Sequence, residues 1–259
     1  MKKIFRYPAM VIALSMSLQA SFAQKGFDAG IRYLLTESAL YNKSDKNSNA
    51  IKRENTPSYL SGGFALGYNF NKHMGIELDI LHSRQGQEYS GTNTLNGNGS
   101  AYNHETAIIA EANNDQTVGT YQAKAELNML KIPVLFRLST NNSKRVYFNV
   151  NAGPQLDILQ SAVFEYNGED VELPGTGIEP TDVYRKVTVD GVLGLGAGFR
   201  LWKHWHLLAQ ARFDYGFQDV EKKSITYNFN NIQQLYYDPN RNASHNATGA
   251  LMLGVNYKF

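Results

Sequence analysis

Apolar and polar residues alternate one for one along eight stretches of this chain. In residues 248–259, Gly249, Leu251, Leu253, Val255, Tyr257 and Phe259 fall on one side, and Thr248, Ala250, Met252, Gly254, Asn256 and Lys258 on the other. Successive side chains of a strand point to opposite faces, so this stretch predicts a strand with one apolar face and one small or polar face. Residues 26–35 repeat the pattern, with Phe27, Ala29, Ile31, Tyr33 and Leu35 against Asp28, Gly30 and Arg32. The same period of two runs through residues 58–70, 75–86, 121–138, 146–159, 187–200 and 205–217. Eight strands follow, with no helix-period segment to set against them.

The connections alternate in length. Residues 71–74, 139–145 and 201–204 make short links; residues 36–57, 87–120, 160–186 and 218–246 make long ones rich in Asn, Ser, Gly and Asp. Short and long links in strict alternation predict an all-β fold, an eight-stranded antiparallel up-and-down β-barrel. If it is transmembrane, the short turns and both termini lie on the periplasmic side and the long loops outside.

Alternation alone leaves open whether the apolar face points to lipid or to an enclosed ligand, as in a lipocalin-like barrel. The polar faces carry Asp28, Glu77, Asp79, Asp157, Asp190 and Asp214 with Arg32, Lys131, Arg137, Arg200, Arg212 and Lys258. Equal numbers of each sign favour charges that face one another inside. Aromatic residues add to this reading. Tyr68, Phe70, Phe136, Phe148, Phe199, Trp202, Trp205, Tyr257 and Phe259 gather near the expected periplasmic ends, and Tyr33, Tyr59, Tyr215 and Phe217 near the other rim, as two interfacial girdles.

Composition changes the picture little. The mean hydropathy of −0.39 is compatible with a membrane barrel, because only the outward half of each strand must be apolar. There is no cysteine, which removes disulfides and thiolate metal sites. Residues 1–23 read as a signal peptide: Lys2, Lys3 and Arg6 precede a short apolar core, and Ser21, Phe22 and Ala23 form a cleavage site. Residues 24–259 then form one barrel domain.

Three segments carry a family resemblance: Tyr68 to His73, Leu130 to Leu135 and Gly191 to Gly196. The chain resembles the porin-family outer-membrane β-barrel domain often described as PorT-like, over its whole mature length. That resemblance implies a Gram-negative outer-membrane location. Its closing strand, ending in Tyr257 and Phe259, is similar to those whose terminal aromatic is read by the barrel insertion machinery.

An eight-stranded barrel is about wide enough to be filled by its own side chains. The inward charges are therefore expected to form a plug, with Arg137 and Arg212 among Glu77, Asp79 and Asp214 and with Asp28, Arg32, Lys131, Asp190 and Arg200 in the same network. Small inward residues such as Gly63, Gly67, Gly194 and Gly198 are expected to make room for long side chains from the opposite wall. His204 and His206, two apart at a turn, read as interfacial residues rather than metal ligands. His82 and Ser83 are adjacent and must point to opposite faces, which removes them as a catalytic pair. The long loops carry an acidic excess, and Glu169, Asp170 and Glu172 are candidates for a divalent cation, since hard cations take oxygen ligands. No cofactor and no nucleic acid is expected. The function expected is structural or interactive: an integral outer-membrane barrel in contact with outer-membrane lipid, presenting loops to an extracellular or outer-membrane protein partner. A small pore, or less plausibly a lipid or peptide hydrolase, is the alternative.

Overall fold

In the computed structural model the described residues are 26–42, 51–54, 59–92, 120–166, 169–170, 180–229, 232–237 and 242–259. The strands are β1 (Gly26–Asn42), β2 (Ile51–Glu54), β3 (Tyr59–Asn69), β4 (Met74–Thr92), β5 (Thr120–Ser139), β6 (Val146–Tyr166) and β7 (Glu169–Asp170). A short helix, α1 (Pro180–Val183), leads to β8 (Val187–Arg200), β9 (Trp205–Gly216), β10 (Ser224–Phe229), β11 (Ile232–Tyr237) and β12 (Ser244–Lys258). Among the described residues eight of these close into a ring, β1-β3-β4-β5-β6-β8-β9-β12, each antiparallel to its neighbours. Asp28 pairs with Lys258 and Leu35 with Leu251, so the first and last strands seal the barrel and leave no edge in the ring.

The three short turns close by local hydrogen bonding. Asn71 Oδ1 accepts the backbone N–H groups of His73 and Met74 at 2.7 and 2.9 Å, and Asn141 Oδ1 accepts that of Ser143 at 3.0 Å. Side chains that mimic a backbone turn in this way are the reason Asn recurs there. In the third turn Leu201 N–H donates to the Trp205 carbonyl at 2.9 Å.

The apolar faces point outward. Phe64, Leu66, Phe148, Leu195, Leu251 and Leu253 are all exposed, while the alternate positions are buried or half-buried. An all-round apolar exterior with a polar interior is the inverse of a water-soluble barrel and matches lipid outside. The aromatic belts follow: Phe148, Trp202, Trp205 and Phe259 are exposed at the end bearing the short turns, and Tyr33, Tyr215 and Phe217 toward the other.

Several strands are longer than alternation predicts. β4, β5 and β6 run for 19, 20 and 21 residues, about twice the ~9–11 residues that cross a bilayer. Parts of the segments expected as loops are thus paired strand: β1 continues to Asn42, β4 to Thr92 and β6 to Tyr166. Their polar, Ser- and Gln-rich composition hides the period because both faces meet either water or a polar interior. The register of β5 with β6 shifts where Asn128 opposes Ser161 and Met129 opposes Leu159, leaving Gln160 as the extra residue of a bulge. Beyond it the parity of β6 inverts, so Ala162 and Phe164 turn inward. The region expected to be the last long loop contains a separate hairpin of β10 and β11.

The outward face makes a direct prediction. Leu195→Arg, in the middle of the lipid-facing stretch of β8, is expected to cost about 2–4 kcal/mol, and Val187→Arg, at its outer end, about 0–1 kcal/mol. Urea unfolding from lipid vesicles measures both, and equal costs would contradict the assigned depth.

Candidate functional site

The barrel interior holds the concentrated chemistry of the chain. At the end bearing the short turns, Arg137 on β5 reaches across the lumen. Its Nη2 donates to Asp28 Oδ2 at 2.7 Å and to Asn69 Oδ1 at 3.0 Å, and its Nη1 to Glu77 Oε2 at 2.9 Å. Arg32 Nη2 donates to the same Glu77 oxygen at 3.0 Å, and its Nη1 to Asn256. Asn256 returns a hydrogen bond to Asp28 Oδ1 at 3.0 Å, and Asn69 one to Asp28 Oδ2 at 2.6 Å. Two guanidinium groups, two carboxylates and two amides thus tie β1, β3, β4, β5 and β12 together. The guanidinium's fixed fork of donors suits this bridging of several acceptors.

A second network lies further along the lumen. Arg212 Nη1 on β9 donates to Asp79 Oδ2 on β4 at 3.0 Å, and its Nη2 to Gln155 Oε1 at 3.3 Å. Lys131 Nζ lies 3.0 Å from Asp214 Oδ2 and 3.9 Å from Asp157 Oδ2. Asp79 is the next inward position after Glu77 on β4, so the two networks are contiguous. Fully inside, six carboxylates (Asp28, Glu77, Asp79, Asp157, Asp190 and Asp214) meet four cations (Arg32, Lys131, Arg137 and Arg212). The surplus falls at Asp157 and Asp190 on neighbouring strands. These two carboxyl groups lie within hydrogen-bonding reach of each other, and neither accepts a hydrogen bond from an arginine or lysine among the described residues.

Apolar and neutral polar layers complete the filling. Leu34, Leu81 and Met252 form a buried cluster. Beyond it Thr36, Ser61 and Ser83 form a chain of hydroxyl contacts at 3.4 and 3.3 Å, and Gln85 Oε1 accepts from Asn246 and Thr248, both at 3.3 Å. At the outer end Phe164 and Tyr184 are both buried, their rings 6.0 Å apart. Tyr184 is held by an antiparallel bridge to Glu221, with Arg185 N–H donating to the Val220 carbonyl and Lys222 N–H to the Val183 carbonyl, each at 2.8 Å.

On the outside of the strand extensions a charged cluster replaces the apolar face. Arg84 Nε lies 2.8 Å from Glu126 Oε1, Lys124 Nζ lies 2.9 Å from Glu165 Oε1, and Tyr59 donates to Glu126 Oε2 at 2.9 Å. Burial weakens the Lys124 ammonium, but the hydrogen bond to Glu165 and the nearby Tyr59 and Glu126 outweigh it and hold its pKa above the ordinary lysine value. Ion pairs facing outward mark where the lipid-facing band ends.

Several expected residues sit elsewhere than the sequence suggests. Arg200 shares the inward parity but is only half-buried at the rim, and among the described residues it pairs with no carboxylate. Lys258, also half-buried, donates to the Asn142 carbonyl at 3.3 Å. Asp190 is enclosed beside Asp157 and makes no ion pair with a cation among the described residues. His206 is buried inside, with Nδ1 3.4 Å from the Tyr147 hydroxyl, whereas His204 stacks on Tyr257; only His204 is interfacial. The inward glycines make room for the adjacent strand rather than the opposite wall. A Cβ on Gly198 would strike the ring of Tyr147, its cross-strand partner, and one on Gly67 the carboxylate of Asp28. Ser83 is buried and His82 exposed. Tyr257 packs against Trp205 and Phe259, and Phe259 N–H donates to the Phe27 carbonyl at 3.0 Å. Glu169 and Asp170 pair their backbones with Tyr166 and Glu165, while Glu172 lies outside the described residues, as does the signal segment. No set of three His, Asp or Glu among the described residues is placed to hold a metal ion. Sequence reasoning missed Asn69, Asn256 and Gln155, which inward parity alone points to.

Two substitutions are expected to move stability in opposite directions. Arg137→Met leaves Asp28 and Glu77 short of a buried partner and is expected to cost about 3–5 kcal/mol. Asp190→Asn replaces one of two adjoining buried acids by a neutral amide that can donate to Asp157 and is expected to gain about 1–3 kcal/mol. Urea midpoints of the refolded variants check both, and a loss of stability in Asp190→Asn would contradict the assignment of surplus charge.

The chain is similar to Neisserial surface protein A, at 12% identity over 90% of this chain and 97% of that one, with a TM-score of 0.44. It is similar to OprG from Pseudomonas aeruginosa, at 12% identity over 92% and 96%, TM-score 0.44. Similarity extends to the outer membrane protease OmpT from Escherichia coli, at 8% identity over 92% and 98%, TM-score 0.45. None of these likenesses assigns a function to this chain. No curated protein matches the sequence. Residues 19–222 match the family described as outer membrane protein beta-barrel domain. With eight antiparallel strands closed in a ring, an apolar exterior and this family match, the chain belongs to the outer membrane β-barrel domain family and resides in the outer membrane.

Proposed function

We propose that this chain is a sealed barrel with a structural or interaction role, of the PorT-like porin-family kind, and that it presents its outer strand extensions and loops to an extracellular or outer-membrane protein partner. The observation that carries this reading is the filled interior. Arg137 and Arg212 cross the lumen at two levels, and the Leu34, Leu81 and Met252 cluster occupies it between polar layers. A lumen of eight strands has room for little else. Residues 1–23 are assigned as the export signal, removed before the barrel assembles.

Planar-bilayer recording tests the reading. The refolded protein is expected to give no discrete conductance steps, and steps of uniform size that Arg137→Met enlarges would replace the sealed barrel with a small pore.

The exposed terminal aromatic is proposed to act in assembly. Phe259 buries little of its ring, so its deletion is expected to lower the amount inserted in cells while leaving refolding in detergent nearly unchanged. Quantitative membrane fractionation beside detergent refolding measures the two, and equal losses would leave no recognition role.

A further inference from the structure

On the lipid-facing side of β6, β8 and β9 the wall is indented. Gly191 on β8, which has no side chain, opposes Pro154 on β6, and here the wall leaves a groove of about 440 Å³ flanked by Val189, Leu193, Phe213 and Phe217. These flanking side chains are exposed on the outer surface of the barrel. The volume falls in the range of about 300–1,000 Å³ usual for small-molecule clefts. Phe217 leans over Gly191, since a Cβ there would lie 2.8 Å from its ring.

Immediately beyond the outer end of this groove stands a group of cations. The bridge of Tyr184 to Glu221 buries those two side chains. Arg185, two residues before the outward Val187, is exposed, and Lys222, whose backbone N–H donates to the Val183 carbonyl, is half-buried. Lys186 and Lys223 follow them, both exposed. Among the described residues none of the four is ion-paired with a carboxylate. The nearest acids in sequence are otherwise placed: Asp219 Oδ1 accepts the backbone N–H groups of Glu221 and Ser244, Glu221 is buried, and Asp182 is exposed on α1. Lys186 precedes Val189 by three residues, roughly 10 Å of strand. Such a rise places the cations at headgroup level, above an acyl-sized furrow.

We propose that this groove and its cationic cap form a binding site on the barrel exterior for a phosphate-bearing lipid of the outer leaflet, with one acyl chain in the groove and the phosphate at Arg185 and Lys222. Charge complementarity selects the headgroup, because guanidinium and ammonium donors gain most from a phosphate at a partly desolvated boundary. The furrow selects a chain rather than a free anion. This site lies outside the lumen and is independent of whether the barrel is sealed.

Native mass spectrometry of the full mature protein, released from vesicles containing bis-phosphorylated lipid A, its dephosphorylated form, or phosphatidylcholine alone, tests the site. The parent is expected to retain a lipid A adduct that Arg185→Gln with Lys222→Gln weakens by roughly tenfold or more. Lys52→Gln with Arg53→Gln, an equal charge loss on β2, is expected to leave retention unchanged, and Leu193→Trp is expected to reduce it at constant charge by filling the groove. Heat-modifiable migration confirms that each variant is folded. Equal retention of all three lipids, equal losses in the two charge variants, or complete displacement by inorganic phosphate would each overturn the proposal.

Discussion

A backbone that crosses lipid can leave no N–H or C=O group unpaired, and the remainder of this structure depends on that constraint. Each such group exposed to hydrocarbon costs several kcal/mol. The chain meets the constraint by pairing β1 with β12, which turns eight strands into a ring without an edge. Once closed, a ring of eight strands has a narrow lumen, and the alternate side chains must share it. What enters the lumen is then dictated by pairing. Buried charges survive only in company, and Arg137, placed between Asp28 and Glu77, supplies it at one level as Arg212 does beside Asp79 at the next.

The same closure separates two environments that a soluble domain would reverse. Lipid faces Leu195 and Leu253, while Asp28 and Arg32 are enclosed. Because the enclosed groups come from every wall, the interior couples strands far apart in sequence. Asp28 and Asn256 bond at 3.0 Å across the seam, and Arg212 and Asp79 across the lumen. On the outside of the strand extensions, paired charges such as Arg84 with Glu126 replace apolar side chains.

Much of the fold was legible in the chain because a period of two is a local property. The alternation through residues 248–259 sets β12 on its own, and the Asn residues of the short turns mark their ends. What the period does not convey is where a strand stops once both of its faces turn polar, so the extension of β4 past Gly86 escaped it. Nor does it survive a bulge: Gln160 inverts the faces of β6 and carries Phe164 inward. Within the site, parity marked the inward positions but not depth, since Arg200 and Lys258 are only half-buried at the rim, and partner choice depends on barrel stagger. Arg137 reaching Asp28, or Asp190 reaching no cation, is set by the tilt of one wall against another. His206 was misjudged for a related reason, since a residue two positions past a turn can already be inside.

The central claim is that side chains, not water, fill the lumen at the level of Leu34, Leu81 and Met252. Water-edited solid-state NMR on the protein in bilayers, observing the Met252 methyl group, addresses it most directly. Slow magnetisation transfer from water to that methyl, with fast transfer to exposed side chains such as Ser143, is the result predicted. Transfer to Met252 as fast as to Ser143 would mean a wet lumen and would contradict the sealed barrel.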